Sequence, residues 1–171
     1  MNRLRDQRGF TLPELVMVIV IVAILAVVVT PSAALFPGMK VNAAAERVAS
    51  DLRYAQALAH REGGPVGLAF SSATRYAVVH TTAKLGVPDP LQPAQSLVFD
   101  TIADARFQGV TWTWTTPSFD NQILFDTLGQ LRDDAYDVAT TPAGIVLTLN
   151  GTTATISVEP VTGRIATVVT P

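Results

Sequence analysis

The stretch that decides the fold is residues 8–15, RGFTLPEL, which leads into an apolar run ending at Val29. After the carboxylate of Glu14, fifteen consecutive residues are apolar. As an α-helix, residues 10–29 would rise about 30 Å, which matches the hydrocarbon core of a bilayer. The sequence therefore predicts a transmembrane helix over residues 10–30.

The orientation of this helix follows from the charges ahead of it. Arg3, Arg5 and Arg8 are opposed by a single acid, Asp6. Cytoplasmic flanks of membrane helices carry an excess of Lys and Arg. We therefore expect the N-terminus to lie in the cytoplasm and the chain after Val29 to be exported.

Glu14 needs a partner, because an ionisable residue within a membrane helix costs free energy and by default marks a functional site. No Lys, Arg or His lies between Phe10 and Pro37. The partner must come from another molecule, or from an amine made by cutting the chain close by. Cleavage after Gly9 would leave Phe10 with an α-amino group whose pKa of about 8 keeps it mostly charged at neutral pH.

Residues 9–15, GFTLPEL, followed by the apolar run, resemble the N-terminal signal of type IV pilins and type II secretion pseudopilins. The resemblance implies that a prepilin peptidase cuts after Gly9 and methylates the amine of Phe10. It also implies that Glu14 guides incorporation into a helical filament and that Pro31 kinks the helix. The implied partners are other pilins or pseudopilins bound through the N-terminal helix, the peptidase, and an inner-membrane assembly platform. The implied location is the bacterial inner membrane, crossed once with the C-terminal domain in the periplasm, and afterwards the filament.

Two alternatives explain the same N-terminus. A secretory signal peptide would be cut near residues 32–34, Ser-Ala-Ala, and a plain membrane anchor would keep Met1. Glu14 at the head of the apolar run argues against the signal peptide. The mature N-terminus distinguishes the three.

Composition bounds the remainder of the chain. Of 171 residues, those beyond the anchor suffice for one domain with a real core. There are no cysteines, so no disulfide or thiolate metal site is available. Removing residues 1–9 takes three Arg and one Asp and leaves 9 basic and 13 acidic side chains, a balance without general attraction for nucleic acid.

A second helix is predicted over the C-terminal part of residues 31–64. Pro31 and the Pro37-Gly38 pair interrupt the helical pattern, so we expect a bend between Thr30 and Met39. From Val41 to Glu62 apolar residues recur at three- and four-residue steps, with polar residues, Asp51 among them, mostly on the other faces. Gly63-Gly64-Pro65 ends the helix.

Residues 65–171 are predicted to form a β-rich periplasmic domain, because the apolar period changes to two. Residues 84–95, rich in Gly and Pro, are expected to be a surface loop. The expected strands are 66–71, 75–81, 96–102, 107–115, 122–125 and a short piece near 128–131, followed by an antiparallel meander of 144–149, 153–159 and 164–169. The predicted fold is α+β and pilin-like, with a long N-terminal helix on antiparallel sheet.

The later motifs resemble the GspH/FimT group of minor pseudopilins and minor pilins. They are Leu52-Arg53 and Ala57 in the helix, Phe125-Asp126-x-x-Gly129, and residues 162–165, Thr-Gly-Arg-Ile. The resemblance implies a structural subunit near a filament tip that primes assembly, in either a secretion pseudopilus or a type IV pilus. The alternative is a DNA-binding minor pilin, in which Arg164 would contact phosphate.

No catalytic constellation is visible, and we expect neither an enzyme nor a cofactor or metal. His60 and His80 are isolated, and we interpret Asp133, Asp134 and Asp137 as a solvated acidic loop rather than a calcium site. Trp112 and Trp114 fall on one strand face, which favours core packing against the helix over a partner-docking patch. The loop 84–95 is either a partner contact or a tolerated insertion.

Overall fold

The computed structural model describes residues 12–29, 37–80, 85–117, 121–133 and 135–170, and the side chains of 24–29 are left aside. It divides the chain into two compact units, residues 1–35 and 36–171. The first unit contains α1, Leu12–Val29, which is apolar along its whole length except at Glu14. The predicted boundary near residue 9 and the bend at Pro31 lie outside the described residues.

The second unit begins with α2, Pro37–Glu62. Pro37 and Gly38 start this helix, whereas the sequence analysis expected them to interrupt one. Proline fits the first turn, where its missing N–H would have no helical partner. The helix ends at Gly63, whose φ of 68° is left-handed and whose N–H donates to the carbonyl of Ala59 at 3.1 Å.

Within the described residues that follow, ten strands form two antiparallel sheets. One sheet has the order β3-β2-β1-β6-β7, with β4 also paired to β2, and the other has the order β10-β9-β8-β5. The strands are β1 Val66–Ser72, β2 Arg75–His80, β3 Leu85–Gly86, β4 Val98–Asp100, β5 Thr111–Thr115, β6 Gln122–Phe125, β7 Leu131–Arg132, β8 Ala143–Leu149, β9 Thr152–Val158 and β10 Ile165–Thr170.

The first sheet combines a local hairpin with a distant partner. β1 pairs with β2, as predicted, and on its other side with β6. Gly67 in β1 permits the second pairing, because a Cβ there would overlap the carbonyl oxygen of Ile123. Two predicted strands are shorter than expected, since 96–102 contains β4 and 107–115 contains β5, while 102–109 consists mostly of turns.

The second sheet contains the predicted meander β8-β9-β10. Its first turn has Asn150 at φ 50° and Gly151 at φ 88°, the left-handed pair typical of a tight two-residue hairpin. β5 pairs with β8 in register from Thr111 to Thr115. This sheet is therefore built from neighbours in sequence, apart from β5.

The core lies between α2 and the two sheets. The buried face of α2 contributes Val41, Ala44, Ala45, Val48, Ala49, Asp51, Leu52, Ala55, Leu58 and Ala59. The alanines on this face have short side chains, so β1, β8 and β9 pack close to the helix. The predicted α+β fold, a helix on antiparallel sheet, is confirmed.

Candidate functional site

The predicted assembly site falls only partly within the described residues. Gly9, Phe10 and Pro31 lie outside them, so cleavage, methylation and the kink stay predictions. Glu14 lies in the first turn of α1 and its side chain is exposed. A carboxylate in the first turn of a helix is stabilised by the N–H groups that end the helix dipole.

Over residues 12–23, α1 exposes apolar side chains on all of its faces. From Leu12 to Val22 each large apolar side chain is about half exposed or more, ranging from 46% at Ile21 to 77% at Leu12. Glu14 forms no ion pair with any other described residue. Searched over the described ranges, the chain contains no helix with both the length and the apolar character needed to cross a bilayer. Residues 12–23 thus present an apolar surface that the described part of the first unit leaves uncovered.

The two histidines have separate structural partners. Nδ1 of His60 lies 2.9 Å from the carbonyl oxygen of Thr127, and Nδ1 of His80 lies 3.3 Å from a carboxylate oxygen of Glu62. Within the described part of the chain, no group of three metal-ligating side chains comes together. The histidines hold the end of α2 to the sheet.

Asp133 closes its own loop. Its carboxylate accepts hydrogen bonds from the backbone N–H groups of Ala135 and Asp137, at 2.9 and 3.0 Å. Tyr136, at φ 62°, turns the chain between them. Asp134 is outside the described residues. The Asp133 carboxylate is therefore used by the loop that contains it, while the interpretation as a solvated acidic loop rather than a calcium site stays a prediction.

Asp126 organises the turn between β6 and β7. It is 8% exposed and accepts hydrogen bonds from the N–H groups of Leu128 and Gln130, at 2.9 and 2.7 Å, and from the guanidinium of Arg132. The Phe125-Asp126-x-x-Gly129 motif is thus a turn whose acid satisfies the backbone around it.

Gln56 joins that turn to the second sheet. Its Nε2 donates to the carbonyl of Gly129 at 2.8 Å and to the carbonyl of Gly163 at 3.2 Å. Gly163 has φ 60°, and a Cβ there would overlap both the Gly129 carbonyl and Nε2 of Gln56. We call Gln56, Gly129 and Gly163 the glycine junction. It ties α2, the β6–β7 turn and the β9–β10 turn together, and it explains the glycines of both later motifs.

A buried polar contact joins α2 to β2, and the sequence did not predict it. Asp51 was expected on an exposed face, but it is 6% exposed and accepts a 2.8 Å hydrogen bond from the hydroxyl of Tyr76. Nε of Arg47 also donates to the same oxygen at 3.1 Å. Burial raises the pKa of Asp51 above its usual value, and the charge of Arg47 opposes that shift. Burial, followed by the Asp51 charge, raises the pKa of Tyr76 well above 10.

The two tryptophans pack between the sheets. Trp112 is 1% exposed, stacks on Phe99 with ring centroids 5.8 Å apart, and donates from Nε1 to the carbonyl of Ser72 at 3.1 Å. Trp114 is half-buried and stacks on Phe70 at 5.0 Å. Trp112 is a core residue, as predicted, but the ring contacts of both tryptophans are with aromatic side chains of the first sheet rather than with the helix, as the prediction had it.

An open groove of about 730 Å³ lies beside this aromatic cluster. Arg47, Arg75 and Arg106 line it, together with Asp100 and Asp104. Arg106 contacts the carboxylate of Asp104 at 2.6 Å, and this hydrogen bond lowers the pKa of Asp104. Because acids accompany the arginines, the groove has little excess positive charge. Arg164 lies after the β9–β10 turn, and its predicted contact with phosphate stays a prediction.

The chain matches two sequence families. The family described as type II transport protein GspH matches residues 44–163, more than two thirds of the chain. The prokaryotic N-terminal methylation motif matches residues 4–30. No curated protein sequence matches significantly.

Solved structures show the same fold. The chain is similar to the minor pseudopilin EpsH from the type 2 secretion system of Vibrio cholerae, with 12% identity, a TM-score of 0.55, and coverage of 76% of this chain and 97% of that one. It is also similar to the type IV minor pilin FimU of Pseudomonas aeruginosa, with 17% identity, a TM-score of 0.50, and coverage of 76% and 92%. A second crystal form of FimU gives 18% identity, a TM-score of 0.50, and coverage of 77% and 88%.

Proposed function

Because this chain belongs to the type II transport protein GspH family, we propose that it is a minor pseudopilin or minor pilin that primes assembly near a filament tip. In this proposal the N-terminal segment anchors the chain in the inner membrane before assembly and then packs among other subunits. Residues 37–170 form the periplasmic head. The proposal covers a secretion pseudopilus and a type IV pilus alike, since both use the same N-terminal signal.

The observation that carries the proposal is the exposed apolar surface of α1. A helix with exposed apolar side chains on every face requires lipid or other apolar helices around it. The methylation motif matches residues 4–30, which contain that helix. The motif and the apolar surface together support a helix that passes from the membrane into a filament.

In this proposal Glu14 determines the axial register of the helix against its neighbours in the filament. An unpaired carboxylate among apolar helices is unfavourable, so a cationic partner in an adjacent subunit stabilises one axial register over others. We assign that partner to the methylated amine of a neighbour's Phe10. A helix in a wrong register would leave both charges unpaired.

The head contributes rigidity and recognition rather than catalysis. Three acids of the head have structural partners: Asp133 in its loop, Asp126 in its turn and Asp51 against Tyr76. They hold the head in one conformation. Its contacts with other subunits therefore depend on surface shape and on free sheet edges.

The mature N-terminus tests the proposal directly. In cells that express a prepilin peptidase, mass spectrometry of the full chain should give a protein that begins at methylated Phe10. Gly9→Val should leave the leader attached, because the enzyme must accommodate a position without a side chain, whereas Gly64→Val, at an open surface glycine, should be processed normally. An intact leader on the exported wild-type chain would contradict the proposal.

A further inference from the structure

β10 is an open edge of the second sheet. Ile165–Thr170 pairs with β9 in unbroken register over all six residues, and no described strand pairs with its other side. Half of its backbone N–H and C=O groups therefore face away from the sheet.

Nothing in this strand blocks a further pairing. It carries no charged residue, no proline and no bulge, and Val168 is 62% exposed. Natural sheets protect free edges with charges, prolines, bulges or very short strands. A long, regular and uncharged edge is therefore an exception that calls for a partner.

The other described edges of this domain are protected. β3 and β7 have two residues each and β4 has three. β5 is held at its outer side by the β1–β2 turn, since the N–H of Trp112 donates to the carbonyl of Ala73 at 2.9 Å. Among the described sheet edges, β10 is therefore the one that remains free to pair with a further strand.

An apolar cleft lies beside the end of β10. It has a volume of about 340 Å³ and is lined by Gly38, Met39, Asn42, Thr152 and Val169. Met39 is 69% exposed. A strand added beside β10 would place alternate side chains on the same face as Val169, next to this cleft.

We propose that β10 pairs with an edge strand of a different pilin-like subunit, and that an apolar side chain of that strand enters the Met39–Val169 cleft. The inference rests on the proposed function, because it needs a neighbour in a filament. An uncharged strand suits this edge, since a charged side chain there would lose solvent without gaining a partner.

A second copy of this chain does not fit as the partner. Pairing β10 with β10 would be isologous and would close a dimer, whereas filament growth needs a head-to-tail contact between two different surfaces. For such a contact a second copy offers no other long free edge among its described strands. The partner strand must therefore belong to another protein.

The size of the contact also favours a filament neighbour. Six residues of strand extend about 20 Å, and one such pairing buries less than the ~1,200 Å² typical of stable complexes. The pairing becomes effective when the N-terminal helices already hold the two subunits together, because tethering raises the effective concentration. The N-terminal helices bring two subunits together, and the strand pairing then determines which subunit is accepted as the neighbour.

Site-specific photocrosslinking tests the inference on the full chain in cells that assemble filaments. p-Benzoylphenylalanine replaces Val168 on β10, Leu128 as an exposed control on the head, or Met17 as a reporter of helix association. We expect adducts with pilin-like subunits from positions 168 and 17, and none from position 128. Thr170→Lys should reduce the position-168 adduct at least about fivefold, whereas Thr170→Ser should preserve it.

The outcomes separate the two proposals. Adducts from position 17 without adducts from position 168 would overturn strand pairing and leave the filament function standing. Loss of both adducts, with the leader intact, would overturn the function and the inference with it. A position-168 adduct with a second copy of this chain, or with a protein that lacks the N-terminal methylation motif, would also overturn the inference.

Discussion

The two helices of this chain differ in the exposure of their apolar side chains. α2 buries one face, from Val41 to Ala59, against two sheets and leaves its polar residues in water. Over residues 12–23, α1 exposes apolar side chains on every face, and the helix contains a single acid. α2 is therefore stabilised by its own domain, whereas under the proposed function α1 is stabilised by lipid or by the helices of other subunits.

Gly163→Ala should lower the stability of the head more than the other substitutions do. Its Cβ would overlap the Gly129 carbonyl and Gln56, and the left-handed φ of 60° adds about 1–2 kcal/mol of strain. We expect a loss of more than ~3 kcal/mol in the free energy of unfolding, because the junction must open. The measurement is urea unfolding of the full chain in detergent, followed by fluorescence of Trp112 and Trp114, both within β5.

Gly151→Ala is the matched control. Gly151 has φ 88° and open space around the position of a Cβ, so it shares the strain but not the overlap. We expect a loss of about 1–2 kcal/mol from strain alone. Equal effects at the two glycines would show that the glycine junction does not hold the sheets together.

Leu52→Ala and Leu15→Ala compare the two helices directly. Leu52 is fully buried in α2, and its truncation should cost about 2–5 kcal/mol. Leu15 is 56% exposed on α1, so its truncation should leave unfolding of the head unchanged. The same tryptophan-monitored titration measures both. A large effect of Leu15→Ala on the head would contradict the separation of the two units.

Asp51→Asn should change how stability depends on pH. Folding raises the pKa of Asp51, so the native chain binds this proton more tightly than the unfolded chain does. The resulting stabilisation is complete below the unfolded pKa of about 3.8 and is lost as pH rises through the higher native pKa.

The variant lacks this loss, so its stability relative to wild type should increase as pH rises from below the unfolded pKa toward neutrality. Unfolding titrations across that range measure the difference. Ser50→Ala, at an exposed position of the same helix and without a titratable group, serves as the control. A difference between Asp51→Asn and wild type that is flat with pH would contradict the raised pKa.

Local signals in the sequence predicted most of the fold. The three-to-four-residue period identified α2, the two-residue period identified the β-strands, and Asn150-Gly151 marked a hairpin whose backbone angles confirm it. The pairing of β1 with β6 was not predicted, because no local rule links strands that lie so far apart in sequence. Gly67 was the local indication of this pairing, since a glycine inside a strand indicates a close backbone approach.

The polar contacts of the head were harder to predict than its elements. Asp51 looks like any surface acid on an amphipathic helix, and its burial depends on Tyr76 reaching across from β2. Gln56 gives no sign that it bridges two glycine carbonyls more than seventy residues away. By contrast, Glu14 was conspicuous in sequence, because a charge within an apolar run contradicts its surroundings without any knowledge of the fold.

The central claim is that Glu14 of α1 pairs with a cation on another subunit. The most direct measurement is the fraction of processed Glu14→Ala protein recovered in sheared filaments, beside Leu15→Ala, which removes a neighbouring side chain without removing charge. We predict normal cleavage after Gly9 for both, and at least about a tenfold loss of incorporation for Glu14→Ala alone, the equivalent of ~1.4 kcal/mol. Incorporation of Glu14→Ala at the wild-type level would contradict the account.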